Sequence, residues 1–177
     1  MLTMPDTSKV LDSVPMSSVT LTGPLADRDN WIAEGCSLAA ALDVIGRRAT
    51  MLLIREAFYG VHRFEEFVRR GGFTEAVTAA RLRELVEAGL LERRGYQEPG
   101  QRSRAEYHLT EKGRDLFPVV VALMRWGDKW ERSDGGRIAF THADCGASID
   151  AQIRCANGHD VTVEDVEARL RHPPREG

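Results

Sequence analysis

The feature that most constrains this chain is a change in the spacing of its apolar residues near residue 90. Between residues 37 and 88 the apolar residues recur every three or four positions, which is the period of an amphipathic α-helix. Residues 90–109 then carry strand-like runs around a turn-rich segment, and a long helical pattern follows. A chain with this order packs several short helices against one β-hairpin, which leaves few architectures.

Glycines and capping residues divide the first part of this pattern into four predicted helices. Thr74 is the expected N-cap of the fourth helix, and Gly89 is its expected stop. Its buried stripe is expected to consist of Thr78, Leu82 and Leu85. The four predicted helices cover residues 37–45, 50–59, 63–70 and 74–88.

The later pattern predicts a hairpin and one long helix. The strands, residues 90–96 and 104–109, flank the turn-rich segment. The helix is expected to span residues 110–130, with a kink at Pro118 near its start. Two short helices joined by a glycine-containing turn and followed by a hairpin make a winged helix-turn-helix. We therefore predict a mainly α fold with a small β-hairpin wing.

The two ends of the chain differ from this middle part. Residues 1–30 are rich in Ser, Thr, Pro and Asp and have no apolar period, which predicts a flexible leader. Residues 136–177 are expected to form a small β-containing C-terminal extension, with strands at 137–142 and 148–154 and a capped helix at 162–170.

Four residues of this extension are of types that bind zinc. They form a His-x2-Cys pair and a Cys-x3-His pair that resemble a degenerate zinc ribbon: His142, Cys145, Cys155 and His159. The second pair lacks the Cys-x-x-Cys spacing of a zinc ribbon, and a metal-free hairpin explains the same residues. We therefore predict neither a metal ion nor another cofactor.

Motif and composition searches exclude several classes of protein. The chain has no P-loop, dinucleotide fingerprint, nucleophile elbow or His-Glu-x-x-His motif, so an enzyme is not expected. It has three cysteines, an odd number, and no apolar run near the ~20 residues of a membrane span. We expect a cytoplasmic protein without a membrane partner.

The positive charge is concentrated in one third of the chain. The net charge is −3, but residues 46–104 contain twelve Arg and eight Glu, which gives 12 − 8 = +4. A solvated charged surface is the ordinary explanation of such a region. The alternative is a surface that binds the phosphates of nucleic acid, and it depends on where the arginines lie.

Several motifs in residues 36–130 together resemble the HxlR-type regulators, a branch related to MarR. The resemblance implies a bacterial transcription factor that dimerises through terminal helices and binds a pseudo-palindromic operator. Residues 31–132 would form this DNA-binding and dimerisation domain. Ala49 stands where the family usually has Trp, and Thr78 where it usually has a larger apolar residue. The motifs are Cys36-Ser37-Leu38, Ala41–Gly46, Arg63–Phe67, Arg81–Leu85, Gly89–Arg94 and Tyr107–Gly113.

The candidate DNA contacts lie on the fourth helix, on the hairpin and at helix starts. The exposed side of the fourth helix is expected to enter a major groove, and the hairpin tip to contact phosphates or a minor groove unless it is simply solvated. Arg93 and Arg94 point to opposite faces of their strand, so at most one faces DNA. For Arg81 the alternative is an ion pair with a glutamate of its own helix. The predicted DNA-binding residues are Arg47, Arg48, Arg63, Thr74, Glu75, Thr78, Ala79, Arg81, Arg83, Arg94, Gln101, Arg102, Ser103 and Arg104.

The predicted long helix indicates that the protein has a partner in addition to DNA. Its apolar residues, including Trp126 and Trp130, cover more than one stripe and need more partner surface than one small domain offers. A second copy supplies it in a homodimer on double-stranded DNA, and packing within the chain is the alternative. The alternative function is a winged helix that binds another protein.

Control by a small-molecule effector or by a redox signal is also expected. Cys36 precedes the first predicted helix, and a helix N-terminus favours a thiolate. Cys36 is therefore the redox-sensing candidate, and an inert cysteine is the alternative.

Overall fold

The computed structural model describes residues 18–30, 35–96 and 104–171. Most of their secondary structure is helical, and the hairpin forms a two-stranded antiparallel sheet, so the predicted mainly α fold with a small wing is confirmed. The helices and strands are β1 (Thr20–Leu21), α1 (Ser37–Ile45), α2 (Arg48–Phe58), α3 (Phe64–Gly71), α4 (Glu75–Glu87), β2 (Leu91–Tyr96), β3 (Arg104–Leu109), α5 (Glu111–Arg114), α6 (Phe117–Trp130) and β4 (Glu167–Ala168).

Helices α3 and α4 are joined by a tight turn, and one residue on each side of the turn explains why α3 ends and α4 begins there. Gly72 ends α3 with a φ of 71°, a left-handed conformation that glycine adopts at little cost. Thr74 is the N-cap of α4, as predicted, because its Oγ1 accepts a hydrogen bond of 3.3 Å from the amide of Val77. This turn sets the angle between the two helices of the helix-turn-helix.

The core lies between α2, α3 and α4. Its largest buried side chains come from these helices and from the first residue of β2: Leu53, Ile54, Phe67, Leu82, Leu85 and Leu91. Val120 of α6 closes the core from another side. Burial of these side chains orients the opposite, polar side of α4 toward solvent, which is what the periodicity predicts.

The prediction of one long helix over residues 110–130 is wrong. Helix α5 ends at Arg114 and α6 begins at Phe117. Pro118 lies in the first turn of α6, where a missing N–H costs nothing and the fixed φ suits a helix start. The proline therefore begins a second helix instead of kinking a continuous one.

The predicted secondary structure of the extension is also largely wrong. Instead of two strands there are single β-bridges, Thr141 to Ser148 and Arg154 to Asp160. None of the side chains of residues 137–160 is fully buried, so no apolar face holds a longer ladder. The predicted capping box at Thr162 is present, but one 3-10 turn follows it instead of a helix to residue 170.

The described residues divide into two compact units. One consists of residues 35–151, and the other of residues 18–30 and 152–171. In the second unit β1 and β4 pair in parallel, with Thr20 opposite Glu167 and Leu21 opposite Ala168. Residues 18–30, which the sequence assigns to the leader, thus contribute a strand to this unit.

Candidate nucleic-acid interface

Helix α4 has one buried side and one side that is open to solvent. Thr74, Glu75 and Ala79 are exposed on it, and the Arg83 side chain is 71% exposed with its guanidinium 3.9 Å from Glu87. An α-helix with one free side fits the width of a DNA major groove, with its N-terminal residues nearest the base edges. The structure therefore leaves four of the predicted contacts on α4 accessible.

The predicted DNA contact from Thr78 is wrong. Its side chain is 0% exposed and belongs to the buried side of α4 with Leu82 and Leu85. A side chain enclosed by the core cannot reach a base unless the helix unfolds, so Thr78 contributes to the core and not to the DNA interface.

Arg81 lies at the edge between the two sides of α4. Its guanidinium forms an ion pair with Glu84, one turn further along the helix, and its side chain is only 17% exposed. The alternative that the sequence left open, an ion pair within the helix, is thus present in the structure.

The start of α2 lies beside the start of α4. Arg47 and Arg48 are exposed, and the guanidinium carbon of Arg48 is 6.0 Å from the ring centre of Phe73, which precedes Thr74. Phe73 in turn packs closely on Gly71, where an added Cβ would lie 3.2 Å from its ring. The two arginines are therefore adjacent to the accessible side of α4.

The wing is attached to the start of α3. The amide of Tyr107 donates a hydrogen bond of 2.8 Å to the carbonyl of His62, and Arg63 forms a β-bridge with Glu106. The Arg63 Nε also lies 3.5 Å from Glu106 Oε1. Residues 62–63 therefore act as a short third strand that holds the hairpin beside the helix-turn-helix.

The far end of the wing carries two of the predicted arginines. Arg104 is half-exposed, and its Nη1 is 3.7 Å from Glu65 of α3. Arg94 is exposed, and its Nε and Nη2 donate to Glu92 Oε1 at 2.9 and 2.5 Å. Gln101, Arg102 and Ser103, also predicted to contact DNA, lie outside the described residues.

Most described arginines of the basic third, residues 46–104, pair with a carboxylate, and three of them do not. Within the described part of the chain, Arg47, Arg48 and Arg93 have no carboxylate within ion-pair distance. The first two were predicted to contact DNA, and Arg93 was not. The sequence could show only that Arg93 and Arg94 face opposite ways, and the structure shows how differently they are paired.

Two helices expose apolar side chains that no described residue of the chain covers. Helix α1 has no buried residue, and its Leu38 is 67% exposed. In α6 Trp126 and Trp130 are more than half exposed, although Val120 is buried. Cys36, which precedes α1, is half-buried. These faces are open to a partner.

A cleft of about 520 Å³ lies between α2, α6 and the segment that follows α6. Tyr59, Met124 and Ile138 contribute its apolar wall, and its rim carries charges of both signs, including Arg55 and Arg137 as well as Asp128 and Glu131. The Tyr59 hydroxyl lies 3.8 Å from Met124 Sδ, and burial is the main reason that the pKa of Tyr59 is raised. The cleft therefore combines an apolar wall with polar groups.

The zinc-type residues form two separate Cys–His contacts. Cys145 Sγ is 3.4 Å from His142 Nδ1, and Cys155 Sγ is 3.5 Å from His159 Nδ1. Over residues 18–30, 35–96 and 104–171, no group of three or more His, Cys, Asp or Glu side chains is arranged to hold a metal ion. In the same residues, no helix has the length and apolar composition that crossing a membrane requires.

Comparison with known proteins gives a consistent result. A family model described as HxlR-like helix-turn-helix matches residues 44–134. Rv3095, an uncharacterised HTH-type transcriptional regulator of Mycobacterium tuberculosis, is 42% identical over 135 residues, which are 75% of this chain and 84% of the relative. YdeP, an uncharacterised HTH-type regulator of Bacillus subtilis, is 34% identical over 99 residues, which are 55% of this chain and 76% of YdeP.

Solved structures give the same picture for the fold. The crystal structure of PA1607, a candidate transcription factor, is 37% identical and superposes with a TM-score of 0.69 over 78% of this chain and 96% of that one. PA1374 of Pseudomonas aeruginosa, also a candidate transcription factor, is 29% identical with a TM-score of 0.55, over 80% of this chain and 95% of its own.

Proposed function

Because the chain belongs to the HxlR-like helix-turn-helix family, we propose that it binds a pseudo-palindromic operator in double-stranded DNA as a homodimer. The family consists of transcriptional regulators, and the chain is a regulator of this type and not an enzyme. In the proposal α4 enters the major groove, and the protein works in the cytoplasm, where the DNA is.

The observation that carries the proposal is the accessible side of α4, with exposed arginines beside it. Arg47 and Arg48 at the start of α2 suit phosphates that set the register, while Glu75, Ala79 and Arg83 suit base edges. Arg63 and Arg81 would contribute to the phosphate contacts by exchanging a carboxylate for a phosphate. Gln101, Arg102, Ser103 and Arg104 would act from the wing.

The exposed apolar sides of α1 and α6 support the homodimer. Leu38, Leu42, Leu123, Trp126 and Trp130 are each more than half exposed, and an apolar area of this kind is usually covered by a partner. A second copy with two-fold symmetry would cover both helices and set two α4 helices about one DNA turn, ~34 Å, apart.

The test is footprinting on the DNA upstream of the protein's own gene and across the genome. We expect protection of sites with two half-sites about one DNA turn apart. Loss of one half-site should weaken binding strongly, because a dimer then makes half of its contacts. If the purified protein protects no DNA but binds another protein, the alternative of a winged helix that binds proteins is correct.

Control by redox is part of the proposal, with Cys36 as its residue. Cys36 is half-buried directly before α1, so oxidation there would act on a helix of the proposed dimer interface. Mild treatment with diamide is expected to change the affinity for the operator in the wild type and to leave Cys36→Ser unchanged. An unaltered wild-type affinity after treatment would remove Cys36 from the proposal.

The cleft between α2 and α6 is the proposed effector site. Its apolar wall and its rim of mixed charge suit a small molecule with an apolar body and a polar edge. Because α6 also belongs to the proposed interface, binding there would change how the two copies pack. A library of small aromatic compounds with polar substituents, screened by release of labelled operator DNA, would test this, with Tyr59→Ala as the control that should lose the response.

A further inference from the structure

Two neighbouring arginines of β2 have the same charge and different surroundings. The guanidinium of Arg94 donates two hydrogen bonds to Glu92, so its charge is already balanced. Arg93 has no carboxylate within ion-pair distance in the described part of the chain. Its guanidinium carbon is instead 5.9 Å from the ring centre of Tyr107, the residue directly opposite on β3.

This contact leaves the N–H groups of Arg93 available to an anion. A guanidinium near the face of an aromatic ring is attracted through its charge, and this attraction uses none of its N–H donors. Tyr107 is itself held by its hydrogen bond to His62 and by an edge contact with Phe67, with ring centres 6.1 Å apart. The arginine is therefore oriented by the core without losing its donors.

Arg93 and Arg104 border one cleft near the far end of the wing. The cleft measures about 360 Å³ and is lined by Arg93, Gly95, Arg104 and Ala105. Gly95 and Ala105 pair directly across the hairpin, and a Cβ added to Gly95 would meet no atom within 4 Å. Gly95 and Ala105 lie on the same face of the hairpin as Arg93, so these two small residues leave open space beside its side chain.

One carboxylate lies at the edge of this cleft. Glu65 is 3.7 Å from Arg104, and both side chains are at least half exposed, so the pair is loose. A phosphate, which presents several acceptor oxygens, can replace it on Arg104. The chemistry of the cleft is that of a phosphodiester site.

We infer that Arg93, and not Arg94, is the residue of β2 that binds a DNA phosphate. The inference rests on the proposed function and assigns one of its backbone contacts. It extends the interface from the hairpin tip along the strand that leads back to α4. Such a contact adds affinity and register on the DNA and no sequence preference.

The experiment compares Arg93→Ala with Arg94→Ala, a matched pair that removes the same charge from adjacent exposed positions. The probe is a fluorescent random-sequence duplex of about 40 base pairs, since a phosphate contact requires no operator. Anisotropy gives the dissociation constant of each protein between about 50 and 200 mM salt.

For each protomer of the dimer, we expect Arg93→Ala to weaken binding about fivefold to tenfold and to lower the slope of log affinity against log salt by about one. Arg94→Ala should stay within about twofold of the wild type and keep its slope. Arg93→Lys should keep the slope, because the charge remains, and circular dichroism of each variant checks that it is folded.

Two kinds of failure are distinguishable. A wild type that binds the duplex while Arg93→Ala keeps its slope, or while Arg94→Ala loses as much as Arg93→Ala, overturns the inference alone. A wild type without salt-dependent binding to any duplex overturns the proposed function and the inference with it.

Discussion

The hydroxyl of Thr78 lies inside the core without a hydrogen-bond partner among the described residues. A buried polar atom in this state costs the free energy of its lost hydration, about 1–3 kcal/mol. The position belongs to the buried side of α4, where the sequence predicted both a core role and a DNA contact. The first of these roles agrees with the structure, because a side chain enclosed on all sides contacts only the core.

We predict that Thr78→Val raises the free energy of unfolding by about 1 kcal/mol, because valine has the same shape and no hydroxyl. Urea unfolding measures this, and the affinity for DNA should not change. Thr74→Val on the same helix is the control, and the loss of the N-cap should lower the free energy of unfolding by about 1 kcal/mol. A less stable Thr78→Val would mean that the hydroxyl has a partner.

At the scale of an element, α5 is held closely against the start of the hairpin. Thr110 Oγ1 donates to the carbonyl of Gly89 at 2.6 Å and accepts from the amide of Gly113 at 3.1 Å. A Cβ at Gly113 would lie 2.2 Å from the carbonyl oxygen of Leu90. The turn from β3 into α5 therefore requires glycine for close approach of the backbones.

We predict that Gly113→Ala lowers the free energy of unfolding by about 2 kcal/mol or more, because the backbones must separate. Gly127→Ala in α6 is the matched control, since its Cβ would meet nothing within 4 Å and alanine favours a helix by about 1 kcal/mol. Thermal unfolding of both variants checks this. Equal effects of the two substitutions would contradict the role of Gly113.

At the scale of the whole molecule, the main feature is the exposed apolar side of α1 and of α6. The described residues leave Leu123 and Trp126 more than half exposed, although the same helix buries Val120 and Val121. A helix that is apolar around much of its circumference is stable in water when both sides are covered. The operator proposal needs the same arrangement, because two recognition helices require two copies.

We predict that Leu123→Glu makes the protein a monomer and lowers its affinity for a two-half-site operator by at least about tenfold, since a monomer makes half of the contacts. Light scattering after gel filtration measures the mass. Ile153→Glu, at an exposed apolar residue that lies on neither helix, is the control and should keep the wild-type mass. A Leu123→Glu variant of unchanged mass would remove α6 from the interface.

Local signals in the sequence are sufficient to predict the helices α1 to α4, the hairpin and the winged helix-turn-helix that they form. Their signals are local: Thr74 caps the helix that follows it, Gly72 and Gly89 end helices, and the apolar period names the buried side of α4. Each of these acts within a few residues, so no distant contact can reverse it cheaply.

Features that depend on residues far apart in the chain came from the tertiary structure. The pairing of β1 with β4 joins Thr20 to Glu167, and no local pattern marks it. The contact of Arg93 with Tyr107 depends in the same way on the hairpin register, which pairs the two residues across the strands. The physical reason is that packing sets the partners of a side chain. Packing brings together residues that no local sequence pattern connects.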